Sequence, residues 1–253
     1  MHIQLKTCLR QLALLPILLA TASGFAAGNE VHPLDAAIKK VVSNSEFNLK
    51  IHRGNTPSLV LNGDQDKFSR VKIEQHGDTV SISRAASGWN IGARIEIDIT
   101  LPELAEAGLN GSGSGEIEGF SGNQFKLGVN GSGSAVLDAQ YADTTISLNG
   151  SGSLSGSLHT MKTLHLSQSG SGSANLNGEA DSAELKLSGS GSLEGSKLLI
   201  NKLNARASGS GSIKIVAKES ADVATSGSGS IHIYGEPAER KFKSSGSGKT
   251  FWH

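Results

Sequence analysis

Apolar and polar residues alternate at period two along most of this chain. In the second half, a Gly-Ser-Gly-Ser tetrapeptide or a near copy interrupts the alternation at almost constant intervals. Copies begin at Gly111, Gly131, Gly150, Gly170, Gly189, Gly209, Gly227 and Gly246, at spacings of 20, 19, 20, 19, 20, 18 and 19 residues. Four residues before each first glycine stand Ala107, Leu127, Ile146, Leu166, Leu185, Ala205, Val223 and Phe242. Two before it stand Leu109, Val129, Leu148, Gln168, Leu187, Ala207, Thr225 and Ser244. The same parity returns after the turn, with Leu154, Ala174, Leu193, Ile213 and Ile231 four residues on and Ile117, Leu137, Leu176, Ile215 and Ile233 six on. Period-two alternation is the pattern of a half-buried strand, because successive side chains leave a strand on opposite faces. Each copy therefore predicts a strand entering the glycine turn, a strand leaving it, and a looser turn of about five residues before the next copy.

A fixed period near twenty is the mark of a solenoid, in which one unit cannot bury its apolar face alone and must stack on its neighbours. The expected fold class is all-β, a single-chain β-helix or β-solenoid with coils of 19–20 residues. The alternation of 20 and 19 also admits two glycine turns per coil of about 39 residues. One per coil is preferred, because strands of about 5–6 residues are the common length. The structural turn residues are the paired glycines: Gly111 and Gly113, Gly131 and Gly133, Gly150 and Gly152, Gly170 and Gly172, Gly189 and Gly191, Gly209 and Gly211, Gly227 and Gly229, Gly246 and Gly248. Glycine suits a corner where backbone passes close to backbone and where φ is positive. Serine hydroxyls are expected to bond the turn's own backbone groups. Small residues at Ala205, Ala207 and Ala221 suggest a core that narrows toward the C-terminus.

Residues 28–110 follow the same strand-turn-strand grammar without the glycine signature. Phe47, Leu49 and Ile51 alternate with polar residues, as do Val71 and Ile73, Val80 and Ile82, and Ile95, Ile97 and Ile99. They read as irregular opening coils of the stack that residues 111–253 continue, with a separate small β-sheet domain as the alternative. Ala85 to Gly92, containing Trp89, reads as a longer loop. Phe251 and Trp252, near the end of the chain, occupy positions where earlier coils carry aliphatics. They are expected to cap the last open coil, since solenoid ends need covering, and the alternative is an outer-membrane assembly signal or an oligomer contact.

Residues 1–27 read as a secretory signal: Lys6 and Arg10, an apolar run from Leu12 to Ala20, then small residues to Ala27. That apolar run is shorter than the ~20 residues that span a bilayer, so no transmembrane segment is expected after signal removal. The chain has 23 basic and 23 acidic residues, and removal of Lys6 and Arg10 leaves 21 against 23, a net charge near −2. That balance offers no field for nucleic acid. The one cysteine, Cys8, precedes the apolar run, so the expected mature chain has none. Its stability must then come from distributed packing, not disulfides.

Candidate chemistry is sparse. The glycine turns lead into strands, whereas a phosphate cradle leads into a helix N-terminus. They carry serine where a calcium-binding turn needs carboxylates. The histidines show no zinc-like pairing. Glu116, Glu118 and Asp138 form the best acidic constellation, on outward positions that stacking could bring together, and a polysaccharide lyase or hydrolase would need such a cluster. A solvated edge explains them as well. No catalytic, cofactor or metal residue is assigned.

The stretches Phe47-Asn48-Leu49-Lys50-Ile51-His52-Arg53-Gly54 and Ile95-Glu96-Ile97-Asp98-Ile99-Thr100-Leu101-Pro102-Glu103-Leu104, followed by the run of Gly-Ser-Gly turns, resemble the bacterial family named putative auto-transporter adhesin, head GIN domain. The resemblance extends from about Ile38 to the end. It implies a β-helical fold similar in shape to pectin-lyase-like proteins without their catalytic residues, a strand over Ile38 to Val42, and a role in adhesion. The function expected is therefore that of an exported, non-enzymatic interaction or structural module of the cell envelope. It would be periplasmic, surface-bound or extracellular, with a cell-surface glycan or protein as partner and homo-oligomerisation as a further expectation. A polysaccharide-active enzyme and a purely structural rod are the alternatives.

Overall fold

The computed structural model describes residues 27–85 and 95–253. The expected signal segment, apart from its last residue, and the expected loop around Trp89 lie outside the described residues. Seven strands form the opening part: β1 (Ala27–Pro33), β2 (Lys40–Asn44), β3 (Asn48–Arg53), β4 (Ser58–Asp64), β5 (Val71–His76), β6 (Thr79–Arg84) and β7 (Ile95–Leu101). The regular part holds β8 (Glu106–Gly111), β9 (Ser114–Gly131), β10 (Ser134–Gly150), β11 (Ser153–Gly170), β12 (Ser173–Gly189), β13 (Ser192–Gly209) and β14 (Ser212–Gly227). It closes with β15 (Ser230–Tyr234), β16 (Glu239–Gly246) and β17 (Lys249–Trp252).

From β8 onward every pairing is parallel and in sequence order, as a β-solenoid requires. Gly131 lies over Gly111, Gly150 over Gly131 and Gly170 over Gly150, so there is one glycine corner per coil. Between corners the backbone runs as strand for 16–18 residues instead of two strands parted by a five-residue turn. The coil bends inside that run. In β11 the inward residues are Leu154, Gly156, Leu158, Met161, Leu164, Leu166 and Gln168, so the alternation slips by one residue after Leu158 and again after Met161. Those two slips are the second and third corners of a three-sided coil. The second corner takes a positive φ at Gly119, His159, Gly178 and Gly235.

The glycine corner shows why its residues cannot vary. The first glycine has φ between +109° and +126° in all eight copies, a region L side chains rarely enter. From Gly131 onward, a Cβ on the first glycine of a corner would come within 3.0 Å of the glycine carbonyl oxygen in the coil beneath, and a Cβ on the second glycine would do the same. That carbonyl is doubly occupied: Gly131 O accepts from Ser151 N at 2.9 Å and Gly152 N at 3.1 Å. Corner amides are thus satisfied along the stack, as a buried ladder demands.

Inside, columns of aliphatics stack in register. One alternates large and small as Leu164, Ala183, Leu203, Ala221, which lets adjacent coils interdigitate. Phe125 and Tyr141 fill the wider early coils, their rings stacked 4.9 Å apart, and the buried Tyr141 hydroxyl donates to Leu104 O.

The opening strands share this sheet and core, in a spatial order that differs from chain order. β2 and β3 make a coil directly beneath β8 and β9. Beneath that coil lie β6 and β7, which come later in the chain. The chain therefore descends, turns, and climbs past its own first coil through residues 102–105, where Ala105 N donates to Lys39 O at 2.7 Å. The descent is made by β4, antiparallel to β7, while β5 is antiparallel to β6 and β1 to β4. These reversed strands and a short 3-10 segment, Gln65–Arg70, with buried Phe68, cover the N-terminal end of the stack.

Candidate interaction surface

The glycine corners carry two serine columns outward. Ser132, Ser151, Ser171, Ser190 and Ser210 lead one, and Ser134, Ser153, Ser173 and Ser192 the other, all exposed. The expectation that their hydroxyls bond the turn backbone is corrected. Within these two columns, among the described residues, only Ser114 Oγ is engaged, donating to Asn48 Oδ1 at 2.7 Å, while Ser244, two residues before the last corner, donates to Gly248 O at 3.2 Å. The backbone groups that a serine would have capped are already taken by the coils above and below, so the hydroxyls project unbonded at the inter-strand repeat of about 4.8 Å.

A third column, immediately before each corner, begins as an amide ladder that sequence reasoning passed over. Asn110 Nδ2 donates to Asn44 Oδ1 at 2.8 Å, Asn130 Nδ2 to Asn110 Oδ1 at 2.7 Å, and Asn149 Nδ2 to Asn130 Oδ1 at 2.8 Å. Its signal was in plain view as Asn at the residue before Gly111, Gly131 and Gly150; later coils put Ser169, Ser188, Ser208, Ser226 and Ser245 there.

The acidic trio is only partly assembled. Glu118 and Asp138 are register partners, whereas Glu116 lies beside Val136. Asp138 Oδ1 lies 2.7 Å from His159 Nε2, and Glu116 is the register neighbour of Lys50, whose ammonium is paired with Glu96 at 2.5 Å. The Asp138 and His159 side chains are more than half exposed, so nothing there excludes water from a reacting bond. A second polar network joins Lys186, Glu184 and His165, and His165 also lines a concavity of about 360 Å³ with Gln124, Lys126 and Asp143. The Lys186 ammonium, hydrogen-bonded at 2.7 Å, holds the Glu184 carboxyl below the usual carboxylate range, with His165 adding to it. No group of three or more His, Cys, Asp or Glu residues suited to a metal exists among the described residues.

The C-terminal coil differs from the rest. All eight residues of β16 are exposed, and Phe242, in a column that is otherwise buried, is 44 % exposed. Trp252 packs against the core over Ile233, with the Arg240 guanidinium 5.2 Å from its ring. Phe251 instead points outward and stacks on His232 at 4.6 Å, and His232 Nδ1 lies 3.1 Å from His253 Nε2. The two terminal aromatics thus do different things: one continues an interior column, the other an exterior one.

No helix of the described residues is long and apolar enough to cross a membrane, which leaves strand-built spans unaddressed. No curated protein matches the chain. Among solved structures, a putative adhesin from Parabacteroides distasonis superposes with a TM-score of 0.81 at 16 % identity, covering 90 % of this chain and 97 % of that one. A putative adhesin from Parabacteroides merdae gives 0.80 at 16 % identity, covering 90 % and 96 %. A protein from Parabacteroides distasonis named a putative lipid binding protein gives 0.75 at 21 % identity, covering 88 % and 96 %. Identities this low speak to the fold alone. The family profile described as putative auto-transporter adhesin, head GIN domain, matches residues 37–237, and the chain belongs to that family.

Proposed function

We propose that the chain is an exported, non-enzymatic binding module of the bacterial cell envelope, which engages a cell-surface glycan or protein through its repeated outer surface. The observation that carries this reading is the column of unbonded serine hydroxyls. They recur from coil to coil beside glycine corners packed backbone to backbone, and beyond Ser114 they make no hydrogen bond among the described residues. A rigid array of identical weak donors and acceptors suits a ligand that is itself repetitive, because many weak contacts add once the first is made. Membership of an adhesin-like family supports the same direction. Against an enzyme stands the dispersal of Glu116, Glu118 and Asp138 over an open face.

The test is retention of purified residues 28–253 on whole cells, peptidoglycan and an immobilised glycan panel. The proposal expects saturable retention on at least one of these, weakened when Ser151, Ser171 and Ser190 are changed together to Ala. Absence of retention on all of them contradicts it. Release of reducing or unsaturated sugar from a polysaccharide panel, abolished by Glu118→Gln or Asp138→Asn, would establish the enzymatic alternative instead. Fractionation of cells with protease shaving assigns the compartment.

A further inference from the structure

On the face that precedes the glycine corners, one outward column reads Lys186, Arg206, Ala224, Lys243 through successive coils. Ala224 is the short member. Its missing side chain leaves a notch of about 290 Å³ between Arg206 one coil below and Lys243 one coil above, bordered by Ser208, Ser226 and Ser245. That size is at the lower end of small-ligand sites, roughly 300–1,000 Å³.

Three features of the notch point to a ligand. Its floor is apolar, made by the Ala224 methyl and the alkyl stems of Arg206 and Lys243, which long cationic side chains lay down while keeping their charged heads wet. Its rim is polar and uncommitted: the hydroxyls of Ser208 and Ser226 and the Lys243 ammonium have no partner within the described chain. Its charge is positive. Arg206 makes its bonds to Ala205 O, Asp222 O and Asp222 Oδ1 through Nη1, which leaves Nε and Nη2 free to donate. The Asp222 carboxylate on the adjoining column offsets one charge, but Lys241 lies directly over Asp222 and restores it. Arg206 and Lys243 stand two coils apart, about 10 Å, too far to close together on one small oxyanion and suitable for a ring lying between them.

We infer that this notch is a subsite for a carboxylated sugar, a uronate-type residue of an acidic glycan. The C–H face of the ring would lie on Ala224 and the side-chain stems. Its hydroxyls would face the serines, and its carboxylate Lys243 or the free edge of Arg206, since a planar guanidinium matches a carboxylate. The inference rests on the binding reading above and narrows it to one site and one ligand class.

Titrating an oligogalacturonate of four units into residues 28–253, with the neutral galactose tetramer and free acetate as parallel arms, tests it by chemical-shift mapping and calorimetry. Binding of the charged oligomer is expected, with shifts centred on Ala224, Ser226 and Lys243. Ala224→Leu, which fills the notch without touching a charge, and Lys243→Glu should each weaken it by about tenfold or more, while Lys162→Glu on another face should not. Lys243 lies in the last coil, so Ala224→Leu keeps the test independent of any fraying there. Equal binding by all variants, equal binding of the neutral tetramer, equal competition by acetate, or no binding of the charged oligomer overturns the inference. If the wild type is still retained on cells or glycans in those cases, the wider binding role stands; if it is not, both fall.

Discussion

Adding one methyl group at chosen glycines separates the two demands that the corners make. Gly150 combines a φ of +115° with a Cβ position inside 3.0 Å of Gly131 O; Gly152 has the close approach without the positive φ. Gly77, in the turn between β5 and β6, has the positive φ, +59°, with nothing within 4 Å of an added Cβ. Gly128 has neither, its nearest neighbour being Asn130 Nδ2 at 3.8 Å. A left-handed conformation costs an L-residue about 1–2 kcal/mol, and overpacking against atoms that cannot yield costs about 1–3 kcal/mol. Gly131 O cannot retreat cheaply, because it holds two corner amides worth about 0.5–1.5 kcal/mol each. Gly77→Ala should therefore cost about 1–2 kcal/mol, Gly152→Ala about 1–3, and Gly150→Ala their sum, about 2–5. Gly128→Ala should be neutral or stabilising by up to about 1 kcal/mol, as Ala gains over Gly in a strand. Urea denaturation followed by far-ultraviolet circular dichroism reads all four. If Gly150→Ala and Gly152→Ala unfold at the same urea concentration as Gly128→Ala, the corners are not in the contact described and the reasoning fails.

Gln168 stands in the otherwise aliphatic column between Leu148 and Leu187, 1 % exposed. Its Nε2 donates to Gly172 O, which already accepts from Ser192 N, while its Oε1 has no partner. Gln168→Leu should therefore raise stability by about 1–2 kcal/mol, since it removes an unsatisfied buried acceptor and orphans nothing; a lower denaturation midpoint would count against this. Asn130 takes part in two ladder bonds, both exposed, and Asn130→Ala should cost about 1 kcal/mol in the same assay. Burial, the neighbouring His253 and Lys214 in the coil beneath hold the His232 imidazole below its ordinary value, with Phe251 stacked above and Tyr234 beside His253. The unfolded chain then takes up the proton more readily, so this contribution is intact above about pH 6.5 and is lost as pH falls through the lower folded value. Amide exchange of Lys249 to Trp252, corrected for intrinsic rates, should be faster at pH 5 than at pH 7.5, and His232→Phe should abolish the difference.

Much of the stack could be read from the chain because the glycine corner fixes a reference, and the columns at four and two residues before it keep constant spacing. One corner per coil, the interior placement of Leu127, Ile146 and Leu166, and the outward serines all follow from that. What could not be read lies on the far side of the coil. There the residue count varies, so the slips after Leu158 and Met161 leave no fixed motif, and the positive φ of the second corner falls on His159 as readily as on Gly119. The reversal at the start was hidden for another reason: β4 and β5 alternate like any half-buried strand, and period two is blind to strand direction. The notch was invisible because it is an absence, a single alanine whose meaning depends on Arg206 and Lys243 being its vertical neighbours 18 and 19 residues away.

The stacking itself is open to a direct distance measurement. Expected mature residues 28–253 lack cysteine, so spin labels can be placed at Ser112→Cys paired in turn with Ser190→Cys, Ser210→Cys and Ser228→Cys, which lie four, five and six coils above it. Corners riding one on another should give separations near 19, 24 and 29 Å, rising by about 4.8 Å at each step. Separations that rise only at every second copy, or that show no order with coil number, would contradict a solenoid with one glycine corner per turn.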